Sequence, residues 1–223
     1  MKLYYVVGSP NCRKVHAAIN HLGIEVEFEY MDFFEGDHKK PEYLTLNSGG
    51  MVPSLHDGDF VLSESNAIMQ YLADKVPGNT LFPRDAKTRA DIVRWQCWDL
   101  AHYNKAFGVL AWEAVAKPNF MGAEPDLGVV NWAKNELSRH APVLDAHLKG
   151  RTYVVGENIT LADYSLAHVE MFKEAIPFDW LPFPNLNKYY ERMRAVPHWA
   201  ETAPVSPDAQ GRRPKPALAA AGR

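Results

Sequence analysis

The sequence predicts an α/β domain with the element order βαβαββα, followed by an all-helical domain. Three observations predict it. Residues 1–31 carry strand, helix and strand patterns in turn. A hairpin signal, Asp57-Gly58, stands between two short apolar runs. Beyond residue 77 strand patterning gives way to helical periodicity, which divides the chain into two units of different class.

The elements follow in order. Leu3-Tyr4-Tyr5-Val6-Val7 is rich in β-formers and too short for a stable helix. Val15, Ala18, Ile19 and Leu22 then keep the i, i+3, i+4, i+7 spacing of an amphipathic helix that stops at Gly23. In Glu25–Met31 the residues Val26, Phe28 and Tyr30 share one face, as in a half-exposed strand. Together these make a right-handed βαβ unit with parallel strands. Pro41 opens a short helix through Leu46, ended by Asn47-Ser48-Gly49-Gly50. Pro53 stands at the start of the first hairpin strand, where proline is tolerated. Ser63-Glu64-Ser65-Asn66 opens a helix with Ala67, Ile68, Tyr71 and Leu72 along one face, stopping near Pro77-Gly78. The first domain is thus 1–77, with a linker at 78–86, a helical domain at 87–200 and a Pro/Ala-rich tail at 201–223.

In the helical domain one helix is expected from about Asp85 to Ala116, dense in aromatics: Trp95, Trp98, Tyr103, Phe107 and Trp112. These read as core and subunit packing rather than as a cofactor box. A loop with Pro118, Gly122, Pro125 and Gly128 follows. A second helix then runs to Leu148 along the seam Val130, Ala133, Leu137, Ala141, Leu144, Leu148. Thr152–Val155 has a weak strand pattern. At Asn158–Tyr164, Thr160 is the N-cap, Asp163 answers it three residues on, and Ile159 and Tyr164 form a hydrophobic staple. Pro184 opens a last helix to Ala195.

Composition narrows the function. The chain has 223 residues, 47% of them hydrophobic, and a net charge of −3. Neither that charge nor a pI near 6.3 suggests nucleic acid or an anionic membrane as partner. No apolar run approaches the roughly 20 residues of a membrane span, and Met1-Lys2 leads into a strand rather than a signal peptide. Cys12 and Cys97 are the only cysteines and form no CxxC pair, which points to a reducing, cytoplasmic setting. The nine histidines show no zinc-binding spacing, so no metal is expected.

Gly8-Ser9-Pro10-Asn11-Cys12-Arg13 forms the strand-to-helix turn. Ser9 is a good N-cap and Pro10 suits the first helical position. Ser9 reads equally as a plain cap and as a hydroxyl that stabilises a thiolate at a helix N-terminus, where unpaired N–H groups and a partial positive charge meet.

With these motifs in their order, the chain resembles the cytosolic glutathione transferases. Ser9, Cys12 and Arg13 look like the SxxCR pattern of the serine-type theta and delta branches. Ser9-Pro10-Asn11 also resembles the Thr-Pro-Asn of the bacterial Nu class. Val52-Pro53 looks like the family's cis-proline, Glu64-Ser65 like its acidic-residue-plus-Ser pair, and Thr160–Asp163 like its late capping box. The resemblance covers about residues 1–200 and implies a thioredoxin-like, glutathione-binding first domain, a helical second domain, a detoxifying transferase activity and a two-fold homodimer. One position departs from the pattern: Met51 stands where the family often carries Lys, Gln or His for the glycine end of glutathione. That contact is therefore expected at His38 and Lys39.

The resemblance assigns roles. Ser9 donates to the glutathione thiolate, with Asn11 as the second catalytic candidate. The backbone of Val52, before a cis Pro53, pairs with the peptide as an added strand. Glu64 accepts from the γ-glutamyl ammonium, and Ser65 holds its carboxylate. Tyr103 and Phe107, one helical turn apart, are expected to line the pocket for a small hydrophobic electrophile. The magnitudes suffice. A thiol of pKa about 8.5 is only about 3% thiolate at pH 7, and lowering it to about 6.5 requires about 2.7 kcal/mol. One hydroxyl donor to a charged acceptor supplies about 1.5–3 kcal/mol, and a helix N-terminus about 0.3–1. Two other readings stay open: a glutathione-dependent disulfide or peroxide reductase, and a ligand-binding member without turnover.

Overall fold

The computed structural model describes residues 1–203. The first unit runs β1 (Lys2–Tyr5), α1 (Pro10–Leu22), β2 (Glu27–Tyr30), α2 (Pro41–Leu46), β3 (Ser54–Asp57), β4 (Phe60–Leu62) and α3 (Ser65–Asp74). This is the expected βαβαββα order. The four strands lie in the order β2-β1-β3-β4. β1 and β2 are parallel, with Leu3 beside Phe28. β3 is antiparallel to β1, with Leu3 beside Leu55, and antiparallel to β4 across the turn at Gly58.

The helical unit consists of α4 (Ala86–Trp98), α5 (Asn104–Ala111), α6 (Lys117–Met121), α7 (Leu127–Leu148), α8 (Leu161–Ala167), α9 (Pro184–Ala195) and α10 (Pro197–Ala200). α4, α5 and α6 form one helical path interrupted by two π turns, Asp99–Tyr103 and Trp112–Ala116. The path thus outruns the expected stop at Ala116, because Pro118 sits in the first turn of α6, where its missing N–H costs nothing. Gly122, in the left-handed region, ends it. On α7 the buried seam is Val130, Ala133, Leu137, Ala141, Leu144 and Leu148, as the periodicity predicts. Thr152–Val155 forms no strand; Val154 is instead drawn into the core, and its N–H goes to Asp163 Oδ1 at 2.9 Å.

The segment expected as a linker is packed: Leu81 and Phe82 are buried, and the Leu161 N–H reaches the Leu81 carbonyl at 2.9 Å. The expected tail begins in contact with the body, since Thr202 is buried and its Oγ1 accepts from Arg13 Nε at 3.3 Å. The rest of that tail lies outside the described residues. Arg13 locks α1 to the far end of the chain. Its guanidinium meets Glu170 at 3.1 Å, donates to the Trp199 carbonyl at 3.2 Å and stacks 4.1 Å over the Trp199 ring. Glu170 also accepts from Trp199 Nε1 at 2.9 Å and Arg194 Nε at 2.6 Å. A buried carboxylate with three donors is well compensated.

Candidate active site

Topology gathers the candidate residues on one edge of the sheet. β1, β2 and β4 share a direction and β3 opposes them. The carboxyl ends of β1, β2 and β4 and the start of β3 therefore fall on the same edge. At these four points lie the turn to Ser9, the turn to Glu64, the incoming Met51-Val52-Pro53, and the loop to His38. Ligands of open α/β sheets bind at such an edge.

At the first point Gly8 takes φ +85 and lets the chain turn sharply out of β1. Ser9 is the N-cap of α1: its Oγ accepts from the Cys12 N–H at 3.3 Å. Capping uses a lone pair and leaves the hydroxyl proton to donate elsewhere. The two readings of Ser9 are thus compatible in one geometry. Cys12 is fully buried, its Sγ lies 3.5 Å from the Val6 N–H, and burial pushes its thiol up to about 11. A thiol so held stays protonated at neutral pH. Asn11, half-buried on the same turn, accepts at Oδ1 from Ser65 Oγ at 3.4 Å, which joins the first turns of α1 and α3.

At the second, Glu64 is exposed and has φ +67, ψ +108. It is the one non-glycine residue with positive φ among the described residues. Such backbone costs on the order of 1–3 kcal/mol and persists where surrounding structure holds it. Ser65, at the start of α3, is buried. At the third, the Val52-Pro53 bond is cis. The preceding Met51 carbonyl accepts from Tyr43 Oη at 2.5 Å and Asn47 Nδ2 at 2.8 Å, while its side chain is 67% exposed. At the fourth, His38 and Lys39 lie on a short 3-10 turn, Asp37–Lys39. A Cβ on Gly50 would come within 3.1 Å of the His38 carbonyl oxygen, so this turn and the Met51 loop touch. The His38 ring packs 4.4 Å from Phe33, and burial pushes its pKa down, leaving it neutral at pH 7. Lys39 is exposed.

Tyr103 and Phe107 do not line this edge. Tyr103 is fully buried with its Oη 2.7 Å from Tyr190 Oη, and Phe107 is 1% exposed, edge-on to His168 at 5.6 Å. Both belong to the helical core, because the π turn ending at Tyr103 rotates that face inward. Two of the exposed aromatic groups, Phe34 on the loop after β2 and Phe120 on α6, are paired across the two units. They are 43% and 46% exposed and meet edge-to-face at 5.5 Å, bridging the two units. Sequence reasoning missed them, although the apolar pair Phe33-Phe34 inside a polar loop was a signal. Among the described residues no group of three or more His, Cys, Asp or Glu side chains is placed to hold a metal.

The family of glutathione S-transferase N-terminal domains matches residues 3–80, and that of the C-terminal domains matches residues 114–197. The chain is 32% identical over 212 residues to glutathione S-transferase 3 of Zea mays, covering 93% of this chain and 95% of that protein. It belongs to the glutathione S-transferase family. Solved transferases share the fold as well. The theta class enzyme of Xanthomonas axonopodis pv. citri, crystallised with glutathione bound, superposes with a TM-score of 0.82 at 28% identity, covering 92% of this chain and 97% of that one. A delta-class transferase of Nilaparvata lugens gives 0.77 at 34% identity, covering 91% and 92%. In this transferase the sheet edge described above therefore lies in the N-terminal type of domain of the family.

Proposed function

We propose that this transferase activates the thiol of glutathione at Ser9 and adds the thiolate to small hydrophobic electrophiles. The observation that carries the reading is the Ser9 hydroxyl. It caps α1 through a lone pair and keeps its proton for an anion held at the helix N-terminus. Around it, Glu64 and Ser65 take the γ-glutamyl ammonium and carboxylate. The backbone of Val52 pairs with the extended peptide, and Asn11 steadies Ser65. For the glycine carboxylate, Lys39 supplies the exposed positive charge, and the neutral His38 supplies a ring N–H from the same turn. Phe34 and Phe120 border the electrophile.

Product analysis with glutathione and a chlorinated nitroaromatic, and separately with a disulfide and a hydroperoxide, tests this. A thioether conjugate is the expected product. Oxidised glutathione made from the disulfide or peroxide in its place would overturn conjugation in favour of reduction, and no product would leave a binding protein. The reading includes a cytoplasmic setting. No helix among the described residues is long and apolar enough to cross a membrane. It also includes a homodimer, supported by the exposed apolar side chains Phe60, Leu100 and Trp132. Sedimentation at micromolar concentration should give twice 25.2 kDa, and a monomer would contradict the dimer.

A further inference from the structure

The first turn of α1 starts from Ser9, and one side chain at its end is anchored wholly outside the first unit. Two backbone N–H groups close this turn on Ser9. The Cys12 N–H goes to its Oγ at 3.3 Å and the Arg13 N–H to its carbonyl at 2.9 Å. Arg13 therefore joins two parts of the molecule. Its backbone holds Ser9, while its buried side chain reaches the far end of the chain. Nη1 donates to Glu170 Oε2 at 3.1 Å, Nη2 to the Trp199 carbonyl at 3.2 Å and Nε to Thr202 Oγ1 at 3.3 Å. Thr202 Oγ1 in turn donates to the same Trp199 carbonyl at 2.8 Å. A planar fork with all three nitrogens engaged is fixed in orientation as well as in place.

Charge balance alone does not explain Arg13. Glu170 already accepts from Arg194 Nε at 2.6 Å and Trp199 Nε1 at 2.9 Å. Arg194 is half-exposed and balances the carboxylate from the solvent side. Arg13 is a second, buried cation on the same carboxylate. Stability does not call for it either, since buried ion pairs are commonly no better than apolar packing. What Arg13 adds is the placement of one turn. The other side-chain ties there are weaker. Ser65 Oγ reaches Asn11 Oδ1 only at 3.4 Å, and Cys12 Sγ is a poor acceptor for the Val6 N–H. The last turn of α1 has ties of its own, His21 Nδ1 2.9 Å from Tyr164 Oη and Asn20 Nδ2 3.5 Å from Glu201 Oε2. Loss of the Arg13 fork therefore leaves the helix docked at its far end and frees the turn that bears Ser9.

We propose that Arg13 is a positioning residue for thiol activation: anchored on Glu170, Trp199 and Thr202, it fixes the first turn of α1 so that the Ser9 hydroxyl meets the glutathione sulfur. The proposal rests on the reading that Ser9 activates the thiol. Variants of the full-length enzyme test it: Arg13→Met, Arg13→Lys, Arg194→Met, and Ser9→Ala with and without Arg13→Met. The pKa of bound glutathione is measured beside the thermal midpoint. Arg13→Met should raise that pKa by about 0.5–1, part of the effect of losing the hydroxyl itself. The rate at pH 7 should fall about three- to tenfold and recover at high pH. Arg13→Lys keeps the charge and the stem but not the fork, and should fall between the wild type and Arg13→Met. Arg194→Met also strips a cation from Glu170; it should lower the thermal midpoint and leave the pKa unchanged. In the Ser9→Ala background Arg13→Met should add nothing to the pKa, because it acts through the hydroxyl. A wild-type pKa in Arg13→Met, whatever its stability, would make the residue merely structural and overturn the proposal. Failure of both Arg13 variants to fold would do the same, as would an equal pKa rise in Arg194→Met or an equal effect of Arg13→Met with and without the Ser9 hydroxyl. A wild-type pKa in Ser9→Ala alone would instead overturn the underlying reading of Ser9, and this proposal with it.

Discussion

At the scale of single residues, the site depends on which atom of a side chain is already committed. Ser9 spends a lone pair on the Cys12 N–H and keeps its proton. Cys12, three residues on, lies within the same helix end and is nevertheless closed off by burial. Ser9, Val52 and Glu64 were legible in the sequence because strand, turn and cap residues announce a helix start or a strand start locally. The electrophile side was not. Tyr103 and Phe107 have the spacing of one helical face, but spacing does not say which face turns inward. A π turn adds a residue and shifts the phase by about 100°. Phe34 and Phe120 are 86 positions apart in the sequence and meet only in the fold. Phe120→Ala should raise the KM of apolar electrophiles about three- to tenfold, for the loss of one partly buried ring. Its glutathione KM should hold. Steady-state kinetics over an alkyl series checks this, and equal KM values across the series would exclude Phe120 from the pocket.

Among the elements, α8 is the one whose start governs the core. The Thr160–Asp163 capping box was legible from four residues and is present, with Asp163 Oδ2 accepting from the Thr160 N–H at 2.8 Å and its Oγ1 at 3.0 Å. Two further duties of Asp163 were not legible, because the partners are distant in sequence. Oδ1 accepts from the Val154 N–H at 2.9 Å and from Tyr189 Oη at 3.3 Å. The one carboxylate thereby binds the irregular 152–155 segment, α8 and α9 together. Burial outweighs these four donors and pushes its pKa up to about 6. Asp163→Ala should destabilise the protein by roughly 3–5 kcal/mol, since it strands several buried donors at once. Urea denaturation measures this. A loss below about 1 kcal/mol, the worth of an ordinary cap, would mean the added bonds contribute nothing.

On the scale of the whole molecule, the two units are joined by the buried pair Arg13–Glu170, and a second buried polar group consists of Lys14 of α1 with Asp99 and His168 of the helical unit. The second has a pH signature. His168 faces Lys14 of α1 and Asp99 of the π turn, and burial, then the Lys14 charge, push it down to about 3. The native state therefore refuses a proton that the unfolded chain takes up near pH 6.5. The associated stability is present above pH 6.5 and is lost as pH falls toward 3, by up to about 1.4 kcal/mol per pH unit. Asp99 and Asp163, raised to about 7 and about 6, act in the opposite sense over pH 4–6. The difference between two proteins isolates the histidine. His168→Gln should lose less of its unfolding free energy between pH 7.5 and 5 than the wild type, by up to about 2 kcal/mol. Parallel curves would show that His168 titrates normally. No local pattern in the sequence marks this cluster, since Lys14, Asp99 and His168 look like surface residues until the helices are packed.

The claim that Ser9 activates the thiol is tested most directly by the pKa of glutathione bound to the enzyme. It can be read from thiolate absorbance in the ultraviolet on the wild type, Ser9→Ala and Cys12→Ala. Ser9→Ala should raise that pKa by about 1–2 units, one charge-assisted hydrogen bond, and lower the rate at pH 7 roughly 10- to 100-fold with partial recovery at high pH. Cys12→Ala should leave the pKa in place and change the rate less than about threefold, as its burial and its raised thiol pKa require. If Cys12→Ala abolished turnover while Ser9→Ala kept the wild-type pKa, the serine assignment would be wrong and thiol exchange at Cys12 would replace it.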